Sequence, residues 1–173
     1  MKATIEAPPG DEPGGSATEG APARSAGERS LPAKEATMDA KSAVDRLVEA
    51  INTHDLDSFV DCFEPDYRSE QPAHPEREFG GREQVRQNWS TLFAAIPDIR
   101  AELLRTADED GTVWAELRIH GHREDASKLD LRGVIINGIR NDRIAWARLY
   151  LEEVERKGEG IDETVHSLSK GRD

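Results

Sequence analysis

Apolar residues recur at intervals of three and four residues in three parts of the chain, which predicts three amphipathic helices. These parts are residues 40–52, 56–63 and 81–97. Asp55 lies directly before the second part, where its carboxylate can cap a helix, and Pro97 ends the third. The pattern therefore supplies three helices, each with one apolar face to bury.

Strand-like patterns follow the third helix. They cover residues 98–106, 112–122, 128–139 and 143–153, and a shorter segment at 66–70 precedes that helix. The connections DEDG, REDAS and RND between the four segments are short, which favours an antiparallel meander. The element order predicts an α+β fold in which helices cover one face of a curved antiparallel sheet.

The alternation of side chains predicts what each face of the sheet carries. Aliphatic residues at every second position of two strands should face the helices: Val113, Ala115, Leu117, Ile119, Ala145, Ala147, Leu149 and Leu151. The opposite face carries Trp114, Glu116, Arg118, His120, His122, Trp146, Arg148 and Tyr150. Aromatic residues mixed with arginine are typical of interface cores. We therefore expect a homodimer through this convex face, centred on Trp114, Trp146, Arg148 and Tyr150.

Both ends of the chain depart from this pattern. Residues 1–37 are rich in Pro, Gly, Ala, Ser and charge, which predicts a disordered N-terminal tail. Met38 follows that tail, and we hypothesise that the functional or folded chain starts there. Residues 38–153 form the predicted domain. Residues 154–173 have too little apolar content for more than a frayed helix in a flexible C-terminal tail.

Charge and composition exclude several partners. The formal net charge is -12 and no basic stripe appears, so we expect no binding to nucleic acid or to an anionic membrane. No apolar run is long enough to span a bilayer, and the single cysteine, Cys62, cannot form a disulfide within the chain. These features predict a cytoplasmic protein.

Several local motifs resemble the nuclear transport factor 2-like superfamily, and within it the SnoaL-like polyketide cyclase family. The motifs are INTHDLDSFVDCFEPDY, GREQVRQNW, PDIRAELL, AELRIHG, LRGVII and RIAWARLYLEE, and the resemblance covers residues 41–153. It implies a cone-shaped, curved antiparallel sheet covered on its concave face by three helices. It also implies a pocket inside the cone and a dimer formed across the outside of the sheet.

Catalytic positions of related families are mostly filled by other residue types in this chain. Where ketosteroid isomerase relatives have a carboxylate base before a proline, the resemblance places Gln71, with Glu70 beside it. Leu47 corresponds to their oxyanion tyrosine and Val134 to their second acid. Leu149 corresponds to the carboxylate that activates water in epoxide hydrolase relatives. The resemblance therefore implies a pocket more firmly than a reaction.

The same resemblance leaves a short set of candidate catalytic residues. SnoaL-like cyclases use a histidine and an aspartate on adjacent strands. His120 or His122 can supply the histidine, whereas Val134 fills the aspartate position and Asp130 is a displaced substitute for it. The resemblance also turns Asp130 and Arg132 toward the pocket, where they form either a structural ion pair or a ligand contact. Glu70 is the alternative base, and Arg132, His74 or His120 would stabilise an enolate.

Two further positions complete the predicted ligand-binding set. His74 lies in a proline-bound loop that would overhang the mouth of the cone. Trp89 lies on the third helix at a spacing that suits either the core or a ligand contact. The full set of predicted ligand-binding residues is His74, Gln71, Leu47, Trp89, Val134 and Leu149.

The stretch AELRIHGHRED poses the question of a metal site. His120 and His122 lie two residues apart on one strand face with Glu116 near, and these side chains suit zinc or iron. A histidine pair on a polar strand face is common without a metal, so neither a metal nor a cofactor is predicted.

Two functions stay open on the sequence. One is a domain that binds a small apolar molecule, with isomerase or cyclase activity on an apolar ketone or polyketide-like compound by general acid/base catalysis. The other is a non-catalytic, dimeric binding or assembly module in which the convex face does the work.

Overall fold

A curved six-stranded sheet carries the helices in the computed structural model, which describes residues 33–170, with side chains from residue 41 onward. The helices are α1 (Ala33–Thr53), α2 (Leu56–Asp61), α3 (Arg82–Ala95) and α4 (Ile161–Lys170). The strands are β1 (Phe63–Glu70), β2 (Phe79–Gly80), β3 (Arg100–Glu109), β4 (Thr112–His122), β5 (Lys128–Arg140) and β6 (Arg143–Glu153). The predicted α+β fold is confirmed.

The strands lie in the order β2-β1-β6-β5-β4-β3. Strands β3 to β6 form the predicted antiparallel meander. Its tight turns use residues with positive φ, Asp110 and Gly111 after β3 and Asn141 with Asp142 after β5, as two-residue hairpins require. Strand β1 pairs with β6 in parallel, which the sequence did not predict. The chain between these two strands passes through β2, α3 and the strands β3 to β5, which is long enough to allow this direction.

Some boundaries differ from the predicted ones. Helix α1 begins at Ala33 rather than at residue 40, because the preceding residues AKEATMD include several good helix formers. The predicted loop at 71–81 contains a single 3-10 turn, Pro75–Arg77, and the two residues of β2. Residues 1–32 of the predicted disordered tail lie outside the described residues, so that prediction and the Met38 start stay predictions.

Side-chain hydrogen bonds fix the connection between α1 and α2. The Asp55 carboxylate accepts from the backbone N–H of Ser58 at 3.0 Å and caps α2, as predicted. Asn52 accepts from the N–H of Ala101 at 2.9 Å and donates to its carbonyl at 3.0 Å. These paired bonds attach the end of α1 to β3, so the helices lie over the concave face of the sheet.

The core lies between the helices and that concave face. Val113, Ala115, Leu117 and Ile119 of β4 are at most 6% exposed, which confirms the predicted orientation of this strand. Above them, the Phe59 ring packs against Trp89, with ring centroids 4.2 Å apart. None of the described helices is both long enough and apolar enough to cross a bilayer.

Candidate functional site

An apolar cavity of about 340 Å³ lies between the helices and the concave face of the sheet. The helices contribute Leu47, Phe59 and Trp89 to its walls, and strands β5 and β6 contribute Leu131, Leu149 and Leu151. This volume and this lining are typical of sites that hold small apolar molecules.

The polar side chains that line the cavity fall into two groups, one buried on the sheet and one at more exposed positions. Tyr67, Ser69 and Asn137 lie on the sheet and are nearly or fully buried, whereas Gln71, Arg77 and Asn88 line the cavity from more exposed positions. Among the described residues that line the cavity, none is an aspartate, a glutamate or a histidine. The cavity therefore offers hydroxyl and amide groups but no side-chain base of ordinary strength.

Strand β1 places two hydroxyl groups in the cavity. Ser69 is 2% exposed, and its hydroxyl oxygen makes no hydrogen bond within the part of the chain that the structure describes. Burial raises the pKa of Tyr67 to about 12, and a hydrogen-bonding contact with the neighbouring Ser69 hydroxyl, which lies outside ordinary hydrogen-bond geometry, opposes this shift. The phenol is therefore neutral at physiological pH and can donate a hydrogen bond.

Asn137 places an amide at the same level of the sheet. It is 2% exposed, and its Nδ2 donates to the carbonyls of Val113 at 3.4 Å and Ile135 at 3.3 Å. Both bonds are longer than the usual 2.9–3.0 Å for an amide donor. No hydrogen bond to its Oδ1 is present among the described residues, so this oxygen can accept one from a ligand.

Four of the predicted ligand-binding residues line the cavity: Leu47, Gln71, Trp89 and Leu149. The other two do not. His74 lies on the loop after β1, where its Nε2 contacts Glu152 at 2.9 Å. Val134 pairs with Glu116 and Tyr150 on the convex face.

The expectation that Asp130 and Arg132 face the cavity is wrong. In the register of β4 and β5 they lie opposite His120 and Arg118, on the convex face, and Leu129 and Leu131 line the cavity instead. The alternation along β5 favours this orientation, because the leucines share one face with Ile135. The resemblance to related families had indicated the opposite phase.

The other two candidate catalytic residues also lie on the convex face. Glu70 accepts from the Nε of Arg148 at 2.6 Å, and His120 contacts Glu102 through its Nε2 at 2.9 Å. Neither residue lines the cavity. The four proposed catalytic side chains are thus separated from the cavity by the sheet itself.

Asp130 is the centre of an ion-pair cluster at one end of the convex face. Its carboxylate is 5% exposed and accepts from Arg118 at 2.8 and 3.2 Å. Arg156 contacts it at 3.2 Å and Arg132 at 3.5 Å. The hydrogen bonds from Arg118, aided by the charges of Arg118 and Arg132, lower the pKa of Asp130 to about 2. A carboxylate so strongly stabilised as an anion is a poor proton acceptor at neutral pH.

The two histidines of the proposed metal set have separate partners. The His122 ring contacts Asp98 at 2.7 Å, whereas His120 contacts Glu102. In the described residues, no three His, Cys, Asp or Glu side chains come close enough together to hold a metal ion. The stretch is the polar outer face of β4, as its alternation indicated.

A second, larger concavity of about 670 Å³ lies beside α1, α2 and the turn after β5. Its lining is charged, and its residues pair with one another, as Arg46 does with Asp142 at 3.1 Å. Side chains that satisfy each other on an open surface leave little for a ligand to bind. The apolar cavity is therefore the better candidate site.

The sequence reasoning missed the three buried polar residues on the sheet side of the cavity. Tyr67 and Ser69 alternate along the short segment DYRSE, so a strand with one face in the pocket would have placed both there. Asn137 lies on the same face of β5 as Leu131 and Ile135. The correct phase for this strand would therefore have placed Asn137 in the cavity.

Several solved structures are similar in fold to this chain. Bal32a, from a soil-derived mobile gene cassette, is 19% identical with a TM-score of 0.59 over 67% of this chain and 91% of its own. An LEH-like epoxide hydrolase from Mycobacterium tuberculosis is 14% identical, with a TM-score of 0.59 over 66% of this chain and 84% of its own.

A third structure contains a bound molecule. RV0760c from Mycobacterium tuberculosis, in complex with estradiol-17beta-hemisuccinate, is 18% identical with a TM-score of 0.57 over 65% of this chain and 92% of its own. These identities show a common fold only. No curated protein matches the sequence. The profile of the SnoaL-like domain matches residues 44–147, and the chain therefore belongs to the SnoaL-like domain family.

Proposed function

We propose that the protein binds one small, mainly apolar molecule in the cavity between its helices and its sheet. The lining carries this proposal: aliphatic and aromatic side chains surround a volume of about 340 Å³, with a few polar groups on its floor. RV0760c holds a steroid ester in a protein of the same fold, which supports a ligand of that chemical class.

The lining supports binding ahead of acid/base catalysis. Proton abstraction from carbon needs a base within reach of the ligand, and no carboxylate or imidazole is among the described lining residues. With a pKa of about 12, the phenol of Tyr67 does not supply one at neutral pH. Isomerase or cyclase activity on an apolar ketone stays a prediction without an assigned base.

A thermal-shift screen with planar polyketides, steroids and terpenoids tests the proposal. Leu149→Trp fills the cavity, and Leu104→Trp introduces the same side chain at an exposed position of β3. We expect one class to stabilise the wild type and Leu104→Trp, by about 2.7 kcal/mol at one hundred times Kd, and to leave Leu149→Trp unchanged. Equal stabilisation of all three proteins would place the ligand elsewhere, and no stabilisation of the wild type would contradict the proposal.

A homodimer through the convex face is the second part of the proposal. Trp114 is 36% and Tyr150 44% exposed, which is unusual for large aromatic side chains. Trp146 packs on Gly138, where a Cβ atom would lie 2.0 Å from the indole, and the Arg148 guanidinium lies 5.6 Å from the centre of the indole ring.

Charge balance on this face also supports self-association. The outward positions of the three central strands hold four basic residues and three carboxylates: Arg118, Lys128, Arg132, Arg148, Glu116, Asp130 and Glu152. The whole chain has a net charge of -12, so two copies repel each other least where they meet through a surface that does not share this negative charge.

Sedimentation velocity across a concentration series tests the dimer. We expect the wild type to be dimeric and Trp114→Glu to weaken association by more than about tenfold, because two buried carboxylates would face each other across a twofold interface. Leu168→Glu, on the exposed face of α4, is the matched control and should leave association unchanged. A monomeric wild type would exclude this part of the proposal.

A further inference from the structure

Ser69, Ala147 and Asn137 form one row across the concave face of the sheet. Ser69 lies opposite Ala147 in the pairing of β1 with β6, and Asn137 lies opposite Ala147 in the pairing of β5 with β6. All three line the cavity. The row therefore has a polar side chain at each end and a single methyl group between them.

The dimensions of this row suit one ligand oxygen. Neighbouring strands are about 4.8 Å apart, so the backbones at Ser69 and Asn137 are separated by about 10 Å. Each side chain together with one hydrogen bond covers about 5 Å of that distance. An oxygen above the Ala147 methyl group is thus within reach of both side chains, and a larger residue at 147 would fill this space.

The Ser69 hydroxyl gives independent evidence for a ligand contact. It is 2% exposed, lines the cavity and makes no hydrogen bond of ordinary geometry among the described residues, although the Tyr67 phenol lies near it. Buried hydroxyl groups are nearly always hydrogen-bonded, because an unpaired one loses the hydrogen bonds that it makes with water in the unfolded chain. A bound molecule that supplies a partner recovers this loss.

We infer that the row Ser69, Ala147 and Asn137, with Tyr67 beside it, is a polar notch that recognises a single hydroxyl or carbonyl oxygen on an otherwise apolar ligand. The inference rests on the proposed function and narrows its ligand class to compounds that present a hydroxyl or carbonyl oxygen at the end that reaches the notch. A ligand alcohol satisfies the notch best, since it accepts from Ser69 or Tyr67 and donates to the Oδ1 of Asn137. A ketone can only accept.

Three rigid bicyclic probes that differ in one oxygen test the notch: tetralin, β-tetralone and β-tetralol. Their dissociation constants are measured by NMR titration of the full-length protein. In the wild type we expect the alcohol to bind tighter than the hydrocarbon. In Ser69→Ala the ratio of the two constants should fall by about fivefold to tenfold, because only the oxygenated probe loses a hydrogen bond.

Two further variants complete the design. Ser90→Ala makes the same substitution at an exposed position of α3 and should leave the ratio unchanged. Asn137→Leu, which keeps the side-chain size, should reduce the preference for the alcohol more than the preference for the ketone. If the probes bind and the ratio is the same in Ser69→Ala and the wild type, the Tyr67 phenol or a water molecule satisfies Ser69, and the notch is wrong while cavity binding holds. If no probe binds the wild type, the proposed function fails together with the notch.

Discussion

Each face of the sheet buries a polar side chain, Asp130 on the convex face and Ser69 on the concave face, and the two differ in their hydrogen-bond partners. On the convex face, the Asp130 carboxylate is 5% exposed and meets three guanidinium groups. On the concave face, the Ser69 hydroxyl is 2% exposed and makes no hydrogen bond among the described residues. The two groups are therefore buried to a similar extent, but Asp130 has charged hydrogen-bond partners and Ser69 does not. A buried group with partners belongs to the architecture, whereas one without partners marks a place where another molecule can bind.

The largest expected effect is a loss of stability when a ring is removed from the helical side of the cavity, compared with the removal of a ring from the convex surface. Phe59 is 1% exposed and packs against Trp89 and Phe63, so Phe59→Ala should lower the free energy of unfolding by about 3–5 kcal/mol. Trp114→Ala removes a larger ring from an exposed position and should cost much less in the monomer. Urea denaturation at low protein concentration measures both. Equal losses would mean that the two faces are equally well packed.

The second-largest expected effect is a loss of folding stability at low pH. The pKa of Asp130 is lowered to about 2, against about 3.9 for an unfolded aspartate, so its ionised form stabilises the fold above about pH 4. That stabilisation is lost as the pH falls from about 4 to about 2. Asp130→Asn leaves three arginines without their carboxylate and should lower the urea midpoint at pH 7, with a shallower loss of stability on acidification.

A matched control for that variant lies on the same face. Glu116→Gln removes a carboxylate that is 3.8 Å from the largely exposed Arg105, and the change in unfolding free energy should stay within about 0.5 kcal/mol. Curves of stability against pH that run parallel for Asp130→Asn and the wild type would exclude the cluster as a source of acid sensitivity.

The smallest expected effect has the opposite sign. Ser69→Ala removes a buried hydroxyl without a partner, and we expect the unliganded protein to become more stable by about 1 kcal/mol. Thermal and urea denaturation without any ligand measure the change, with Ser90→Ala as the exposed control. A clear loss of stability would show that Ser69 is satisfied in solution and would end the contrast between the two faces.

Most of the fold could be predicted from local patterns. The three helices and the four-strand meander follow from periods of 3.6 and 2, and the turns after β3 and β5 hold residues that accept positive φ. The orientation of β4 was predictable because its aliphatic and polar positions alternate without exception between Val113 and His120. The parallel pairing of β1 with β6 was not, since these strands are far apart in sequence and no local rule joins them.

The candidate site was predictable only in part. Leu47, Gln71 and Leu149 line the cavity as the resemblance implied, and Trp89 lines it at the spacing noted on the third helix; their contact with a ligand stays a prediction. Strand β5 carries aliphatic residues on both faces, with Val134 and Ile136 opposite Leu131 and Ile135, so its phase is weakly specified by hydrophobicity alone. Because the predicted phase of β5 was wrong, Asp130 and Arg132 were expected to face the cavity, and Asn137 was not recognised as a lining residue.

The sequence by itself determined the elements, their order and the apolar character of the concave face, because these depend on neighbours within a few residues. Only the tertiary structure decided which polar groups share a site. Ser69 and Asn137 are 68 positions apart and meet across Ala147 through two strand pairings. Asp130 likewise meets Arg156 where the chain leaves the last strand. Such neighbours arise from sheet register, which packing and turns fix together over the whole chain.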